Sequence, residues 1–325
     1  TGMNVGLSSS NTLINYQLYN GSTAVGAPFA GTGSTFSFGL QTLTGTYSVL
    51  ATSAVNGCTS PMAGTVSVGT NPLPVQQTVS GGGAYCLGGS GLSVGLLSSQ
   101  TGINYQLYNG TAPVGAAVVG TGSAMSFGLQ VAAGTYSVLA TNTTTGCTAS
   151  MLGTATIVVN PLPSTFTVTG GGNYCSGATG VGVALSGSSL GVSYQLYNGA
   201  TPLGSSTAGT GTTIDFGNQT LAGVYTVLAT NVGTGCTNNM SGSASVVVNP
   251  LPTVYNVTGG GNYCVGGLGM PVGLTGSNAG ITYRLYNGGS IVATVSGTGG
   301  ALNFGNQTIA TTYTATATNA ATGCS

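Results

Sequence analysis

The sequence predicts an all-β protein, a tandem array of antiparallel β-sandwich domains with about 89 residues per repeat. Three observations predict it. The hexamer Tyr16-Gln17-Leu18-Tyr19-Asn20-Gly21 returns at Tyr105, at Tyr194 and, with Arg284 in place of glutamine, at Tyr283, 89 residues apart each time. Short runs of alternating apolar and polar residues follow one another between Gly, Asn and Pro clusters, and none has the 3.6-residue spacing of a helix. The 325 residues are 41% hydrophobic, yet no apolar run approaches the 18 residues of a membrane span, and the 60 glycines have no three-residue period.

The third repeat serves to place the strands. Thr165-Phe166-Thr167-Val168-Thr169 alternates and runs into a triple glycine, which reads as a first strand ending in a turn. Val181 to Leu185 follows as a second strand. Val192, Tyr194 and Leu196 then share one face of a third, and Asn198-Gly199 is expected to supply the positive φ angles of a tight hairpin turn, as are Asn20-Gly21, Asn109-Gly110 and Asn287-Gly288. A looser strand near Pro202 to Thr207 precedes Thr212 to Phe216, then Val224 to Thr230, then Ala244 to Val248. Seven or so short strands at this spacing are those of a sandwich.

Asn-Pro-Leu-Pro at Asn71, Asn160 and Asn249 closes a repeat each time, its prolines stiffening a short linker. The domains are therefore expected at 1–74, 75–163, 164–252 and 253–325. The first lacks the segment equivalent to Gly81-Gly82-Gly83-Ala84-Tyr85-Cys86, and the last stops before the equivalent of Ser243 to Val248. The chain is thus expected to be a segment of a longer repetitive protein, or a subunit whose end repeats neighbours complete. No initiator Met, signal peptide or anchor is visible in it, so any targeting sequence is expected to lie outside this segment. A one-residue slip in the period lies between Tyr283 and Phe304 and is expected in a hairpin loop.

Charge excludes most chemistry. Asp215 and Arg284 are the only charged side chains, and histidine, lysine and glutamate are absent. Paired carboxylates or a Ser–His–Asp arrangement cannot be assembled from these, so no catalytic residue, cofactor or metal site is expected and the chain reads as a non-enzyme. One arginine cannot neutralise the phosphates of a nucleic acid, and no segment suits membrane insertion. Calcium sites need several carboxylates, and each repeat has at most one. The Gly-x-Gly copies at Gly31, Gly120, Gly209 and Gly297 have no lysine after them and read as turns. Asp215 and Arg284 stand where sibling repeats have Gln, Ser or Asn, and read as surface drift.

Ala222-Gly223-Val224-Tyr225-Thr226-Val227-Leu228-Ala229-Thr230-Asn231 resembles the sixth strand of immunoglobulin-like domains, with Val227 where that family has cysteine. The resemblance implies that Tyr47, Tyr136, Tyr225 and Tyr313 are tyrosine-corner residues whose hydroxyls bond back to nearby backbone. It places Leu18, Leu107, Leu196 and Leu285 near the family's core tryptophan, and implies that both that tryptophan and the usual inter-sheet disulfide are absent. Together with Asn-Pro-Leu-Pro and the offset cysteines, the whole chain is similar to the Ig-like repeats of giant secreted or surface proteins of Bacteroidetes-type bacteria. Those serve as adhesins, stalks, filaments and spacers.

Seven cysteines alternate at separations of 28 and about 61 residues, without a Cys-x-x-Cys zinc pattern. The simplest pairing is within each repeat, Cys86–Cys147, Cys175–Cys236 and Cys264–Cys324, with Cys58 joined to a partner outside the segment. It requires the glycine-rich stretch before Val181 to carry Cys175 from one pole of the sandwich to the other. Otherwise neighbouring repeats are stapled, Cys86 to Cys236 and Cys175 to Cys324, or the thiols are free or interchain. Bridges of either kind imply an oxidising, extracellular or cell-surface location. The function expected is that of a structural protein that self-associates into a fibre, sheath or surface layer. The alternative is an adhesin stalk or spacer that presents, or itself carries, a glycan- or surface-binding function.

Overall fold

The computed structural model describes residues 2–325, and among them there is no helix. The chain divides into two compact units, the residues up to Gly83 with Ser90–Ile157, and Ala84–Gly89 with Val158–Ser325. The second unit contains a complete sandwich. One of its sheets orders the leading strand Val168–Gly170, then Val181–Leu185, then Ile214–Gln219. The other orders Gly172–Cys175, the closing strand Ala244–Asn249, the corner strand Gly223–Asn231, the motif strand Val192–Asn198 and the outer strand Thr201–Ala208. This is the two-sheet order of an immunoglobulin-like sandwich.

Period-two alternation fills the core. Tyr194 and Leu196 of the motif strand and Tyr225, Val227 and Ala229 of the corner strand face Val168, Val183, Leu185 and Ile214 of the other sheet. Each buried ring adds about 2–3 kcal/mol of transfer free energy only if its hydroxyl stays bonded. The fold meets that condition twice. Tyr194 Oη accepts the Ser189 N–H at 2.8 Å, and Tyr225 Oη donates to the Leu221 carbonyl at 2.7 Å. The first compact unit repeats the scheme around Tyr16, Leu18, Tyr47 and Val49, and around Tyr105, Leu107, Tyr136 and Val138. Among the described residues no buried side-chain polar atom lacks a partner.

Three expectations need correction. The triple glycine does not end a strand in a turn; it carries the chain from one sheet to the other. Gly170 still pairs with Val183, whereas Gly172 already pairs with Val246. A Cβ on Gly170 would stand 2.1 Å from the Gly182 carbonyl oxygen, and one on Gly171 2.5 Å from that of Ser245, with φ positive at both. Only glycine fits two backbones that close. The crossing creates an additional strand, Gly172–Cys175, which runs parallel to Ala244–Asn249, whereas the pairing of that strand with Gly223–Asn231 is antiparallel.

The second correction concerns the hairpins. Asn198 is the last paired residue, opposite Thr201, so the two-residue loop is Gly199-Ala200 and not Asn198-Gly199. Only Gly199, at the first central position, has positive φ, the signature of a type II′ turn. Gly21, Gly110 and Gly288 do the same. The asparagine instead ties the hairpin to a neighbouring loop. Asn198 Nδ2 donates to the Ala222 carbonyl at 3.2 Å, as Asn109 does to Ala133 and Asn20 to Thr44.

The third concerns the one-residue slip, which falls in an outer strand. Thr201–Ala208 bulges at Gly204, where Gln195 Nε2 donates to the Leu196 and Leu203 carbonyls. The equivalent strand Ser290–Ser296 is one residue shorter, has no glycine at the bulge, and lies beside Arg284, whose side chain is exposed.

Candidate functional site

The residues with distinctive chemistry gather where one sandwich hands over to the next. After the corner strand, Asn231 Oδ1 accepts the N–H groups of Gly233 and Thr234, and the Asn231 N–H reaches the Cys236 carbonyl at 2.8 Å. That turn buries Cys236 completely. Two residues on, Asn238 Nδ2 donates to the Pro163 carbonyl at 2.8 Å, which fixes the turn beside the preceding Asn-Pro-Leu-Pro segment. Cys236 therefore occupies the upstream pole of its sandwich. Cys147 holds the same place one repeat earlier, with its Sγ 3.9 Å from the Asn71 carbonyl oxygen.

Cys175 occupies the downstream pole. Its strand runs parallel to the closing strand, so it ends opposite Asn249, where the next Asn-Pro-Leu-Pro begins, and the Ser176 N–H bonds the Asn249 carbonyl. The two cysteines of one repeat thus lie at opposite ends of a nine-residue corner strand, about 30 Å of extended chain. Disulfide geometry requires Cα atoms within about 7 Å. The structure pairs Cys86 with Cys236 and Cys175 with Cys324, Cα atoms 5.5 Å apart in both. Within-repeat pairing of Cys86–Cys147, Cys175–Cys236 and Cys264–Cys324 is therefore overturned in favour of staples between successive repeats. The glycine-rich stretch does not cross the sandwich from pole to pole; it crosses between sheets and leaves Cys175 beside its own exit linker. Cys58 and Cys264 are exposed free thiols, and Cys147 is half-buried and free.

The two bridges span 150 and 149 residues and their loops overlap, since Cys175 lies inside the loop closed by Cys86–Cys236. Each closes a loop large enough to remove about 5 kcal/mol of unfolded-chain entropy in the loop-closure model.

The tyrosine corners brace the same region of each sandwich. Tyr47, Tyr136 and Tyr225 are buried; Tyr47 Oη donates to Leu43, Tyr136 Oη to Ala132 and the less buried Tyr313 Oη to Ile309, at 2.8 to 2.9 Å. Burial raises the Tyr225 pKa above the ordinary phenol value. Asp215 and Arg284 are exposed, and Asp215 Oδ1 caps the Gly217 N–H at 2.8 Å, as Ser126 Oγ and Asn303 Oδ1 cap the equivalent N–H groups in sibling repeats. Among the described residues no three His, Cys, Asp or Glu side chains come together, and no helix is long and apolar enough to cross a membrane.

Sheet edges are the other exposed feature. The outer strands Thr23–Ala30, Ala112–Val119, Thr201–Ala208 and Ser290–Ser296 carry no charged residue, and Phe29, Val118, Val119, Ile291 and Val292 are exposed on them. Charges on such strands ordinarily block edge-to-edge pairing.

No protein-family model matches the chain, and no curated protein does. Among solved structures, the chain is similar to Sidekick-1 immunoglobulin domains 1–5, at 12% identity, covering 99% of this chain and 75% of that one with a TM-score of 0.31. It is also similar to the N-terminal eight Ig domains of Down Syndrome Cell Adhesion Molecule, at 13% identity over 94% and 50% of the two chains, TM-score 0.28. A third is murine CEACAM1b, at 12% identity over 51% and 96%, TM-score 0.27.

Proposed function

We propose that the chain is a non-enzymatic, extracellular structural array whose overlapping disulfides carry tension between successive sandwiches. The bridges Cys86–Cys236 and Cys175–Cys324 carry this reading. In an array pulled from its ends, the shortest covalent path runs to Cys86, crosses to Cys236, returns along the chain to Cys175 and crosses to Cys324. Residues 87–174 and 237–323 then lie off the load path, so their unfolding releases no length. The bridges need an oxidising compartment, which supports a location outside the cell or on its surface.

Self-association is the second part of the reading. Outer strands without charge and a chain without net charge lack both of the devices that ordinarily keep β-proteins apart. Edges of this chemistry join through backbone and Ser, Thr and Asn hydrogen bonds, which salt does not screen. Lateral packing into a fibre, sheath or layer follows; isolated threads in negative stain would instead favour an adhesin stalk.

Single-molecule stretching tests the load path. Reduction by dithiothreitol is expected to lengthen the fully extended chain roughly twofold, because the loops then contribute at about 3.4 Å per residue. A final length that ignores the reductant would rule the reading out. Assemblies are further expected to survive transfer from 0.1 to 1 M NaCl, and dissolution at high salt would count against edge-driven packing.

A further inference from the structure

Asn-Gly pairs occur at Asn20, Asn56, Asn109, Asn198 and Asn287. All but Asn56 stand at the equivalent hairpin, and in the first three sandwiches the pair is tied in two places. The asparagine amide is held: Asn20 Nδ2 donates to the Thr44 carbonyl, Asn109 Nδ2 to that of Ala133 and Asn198 Nδ2 to that of Ala222, at 3.1 to 3.2 Å. The N–H of the glycine that follows is held as well, Gly21 on the Thr46 carbonyl, Gly110 on that of Thr135 and Gly199 on that of Val224, at 3.0 to 3.1 Å. Asn56 lies in a different, exposed loop, where the Gly57 N–H donates to the Ser53 carbonyl at 3.0 Å and Asn56 Oδ1 accepts the Cys58 N–H at 3.1 Å.

The fourth sandwich keeps the turn and loses both ties. Asn287 still pairs with Ser290 on one side and Tyr313 on the other, and Gly288 has φ 57° where Gly199 has 60°. Among the described residues, however, neither Asn287 Nδ2 nor the Gly288 N–H has a hydrogen-bond partner. One residue accounts for the difference. Gly45, Gly134 and Gly223 press against the three tied asparagines at φ 149° to 153°, and a Cβ on any of them would stand 1.9 Å from the asparagine Oδ1. The fourth sandwich has Thr311 at this position, and its φ is not positive. A β-branched residue fits neither that space nor that φ. The two acceptor carbonyls belong to the residues on either side, Ala222 and Val224 in the third sandwich, so a different backbone path at Thr311 displaces both.

We infer that Asn287-Gly288 is a site of covalent self-modification, the Asn-Gly pair that deamidates while the protein is folded. The reaction uses the two groups that the other hairpins hold. Hydroxide takes the proton of the Gly288 N–H, and that nitrogen attacks Asn287 Cγ. As the new N–Cγ bond closes a succinimide ring, the Cγ–Nδ2 bond breaks and ammonia leaves, taking a proton from water and returning hydroxide. A second water then opens the ring at either carbonyl and leaves aspartate or isoaspartate. Glycine leaves the attacking nitrogen unhindered in all five pairs, so sequence alone does not choose among them. The ties do: a bonded N–H keeps its proton, and a bonded amide cannot turn its Cγ toward the nitrogen. The product adds a carboxylate to a chain with one acidic side chain, at the pair Asn287–Ser290 that begins the uncharged outer strand Ser290–Ser296. Charge beside an edge discourages edge-to-edge pairing. That consequence rests on the edge-association reading; the modification itself does not.

The full 325-residue chain, disulfides intact, is incubated in mildly alkaline buffer and sampled over time. Reduced and cut by trypsin after Arg284, it yields a fragment beginning Leu285-Tyr286-Asn287. A gain of one mass unit in that fragment, with N-terminal sequencing that stops at the third cycle, marks isoaspartate. Peptide mapping follows the other four pairs, and an unincubated sample corrects for reaction during digestion. Asn287 is expected to convert about tenfold faster than Asn20, Asn109 or Asn198, the factor that loss of a hydrogen bond supplies. Thr311→Gly should slow it by about the same factor. Gly223→Ala tests the cause in the third sandwich, whose closing strand is in place: conversion at Asn198 should rise toward that of Asn287 while Asn20 and Asn109 stay as they were. Five pairs converting at one rate, conversion led by the exposed Asn56, or an Asn287 rate that ignores Thr311→Gly would overturn the inference. So would an Asn198 rate unmoved by Gly223→Ala. A Gly223→Ala chain that has lost hydrogen-exchange protection on Val192–Asn198 reacts there through unfolding, and the rate of Thr311→Gly then decides.

Discussion

The third and fourth sandwiches have nearly the same sequence pattern and differ in what covers one core face. In the third, Ala244–Asn249 bonds the corner strand, and that strand runs nine residues from Gly223. In the fourth the corner strand begins only at Tyr313 and runs seven. Thr311 stands there where the third sandwich has Gly223, a residue at φ 153° pressed against the Asn198 side chain. Within the described residues, the corner strand of the third sandwich has a closing segment paired against it and that of the fourth does not, and its inward residues are buried accordingly. Local pattern forms the strand; its neighbour determines its burial.

The difference can be tested first at the covalent level, where the largest effect is expected. Cys175–Cys324 anchors the fourth sandwich, which has fewer strands among the described residues, to the third. Reduction, or Cys175→Ser, should cost up to about 5 kcal/mol of stability. In a calorimetric scan the fourth sandwich should melt well before the third once the bridge is open. Two sandwiches that still melt together after reduction would mean that the bridge does not support the weaker one.

Met240→Ala comes next. Met240 is 6% exposed, and truncating it leaves in the third sandwich the cavity that the fourth already has. About 3 kcal/mol should be lost, which is the usual range for such a deletion. Hydrogen exchange should register the loss on Val168–Gly170 and Gly223–Asn231, leaving Ile281–Asn287 unaffected. A loss below about 1 kcal/mol would show that the methionine pocket contributes little, and would weaken the contrast between the sandwiches. Gly223→Ala is a smaller perturbation. Its Cβ would meet Asn198 Oδ1 at 1.9 Å and force that side chain off the Ala222 carbonyl. With the positive φ this should cost about 2 kcal/mol by chemical denaturation. Thr311→Gly in the fourth sandwich should instead be close to neutral.

The parts of this contrast that the sequence disclosed are those encoded in alternation. Tyr194, Leu196, Tyr225 and Val227 announce two central strands of one sheet, and the sandwich class follows from their number and spacing. The strand Gly172–Cys175 was hidden because Gly-Asn-Tyr-Cys has no alternation. It exists only because three glycines let the chain change sheets between backbones that belong to distant residues, Gly182 and Ser245. The disulfide partners were hidden for the same reason, since the strand's parallel direction decides which pole Cys175 reaches. The Asn-Gly pairs place the hairpin turns one position early, because the asparagine is the last paired residue and its side chain is engaged with the Ala222 carbonyl. Charge scarcity was plain from the start, and the structure adds that Asp215 acts as one more turn acceptor in a place that serine also fills.

That scarcity leads to the smallest effect, a stability that should hardly move with pH. Linkage requires a group that binds protons differently in the folded and unfolded chain. The chain has one acidic side chain and no histidine or lysine, so the carboxylate and imidazole terms that ordinarily shape stability between about pH 3 and pH 8 are nearly absent. The tyrosines remain. Tyr225 is neutral when protonated, and burial raises its folded pKa above the phenol value of 10.0. A raised folded pKa means that the stabilisation is fully present below the unfolded pKa and is lost as pH climbs through the folded one. The third sandwich should therefore keep a constant melting temperature in acid and neutral buffers and weaken only above about pH 10. Tyr225→Phe separates the causes. It should lower stability by about 1 kcal/mol at neutral pH by removing the bond to Leu221, and it should reduce the alkaline loss. An equally steep alkaline fall in the variant would assign that loss to other tyrosines, and a melting temperature that dropped between about pH 4 and pH 8 would contradict the expectation from charge.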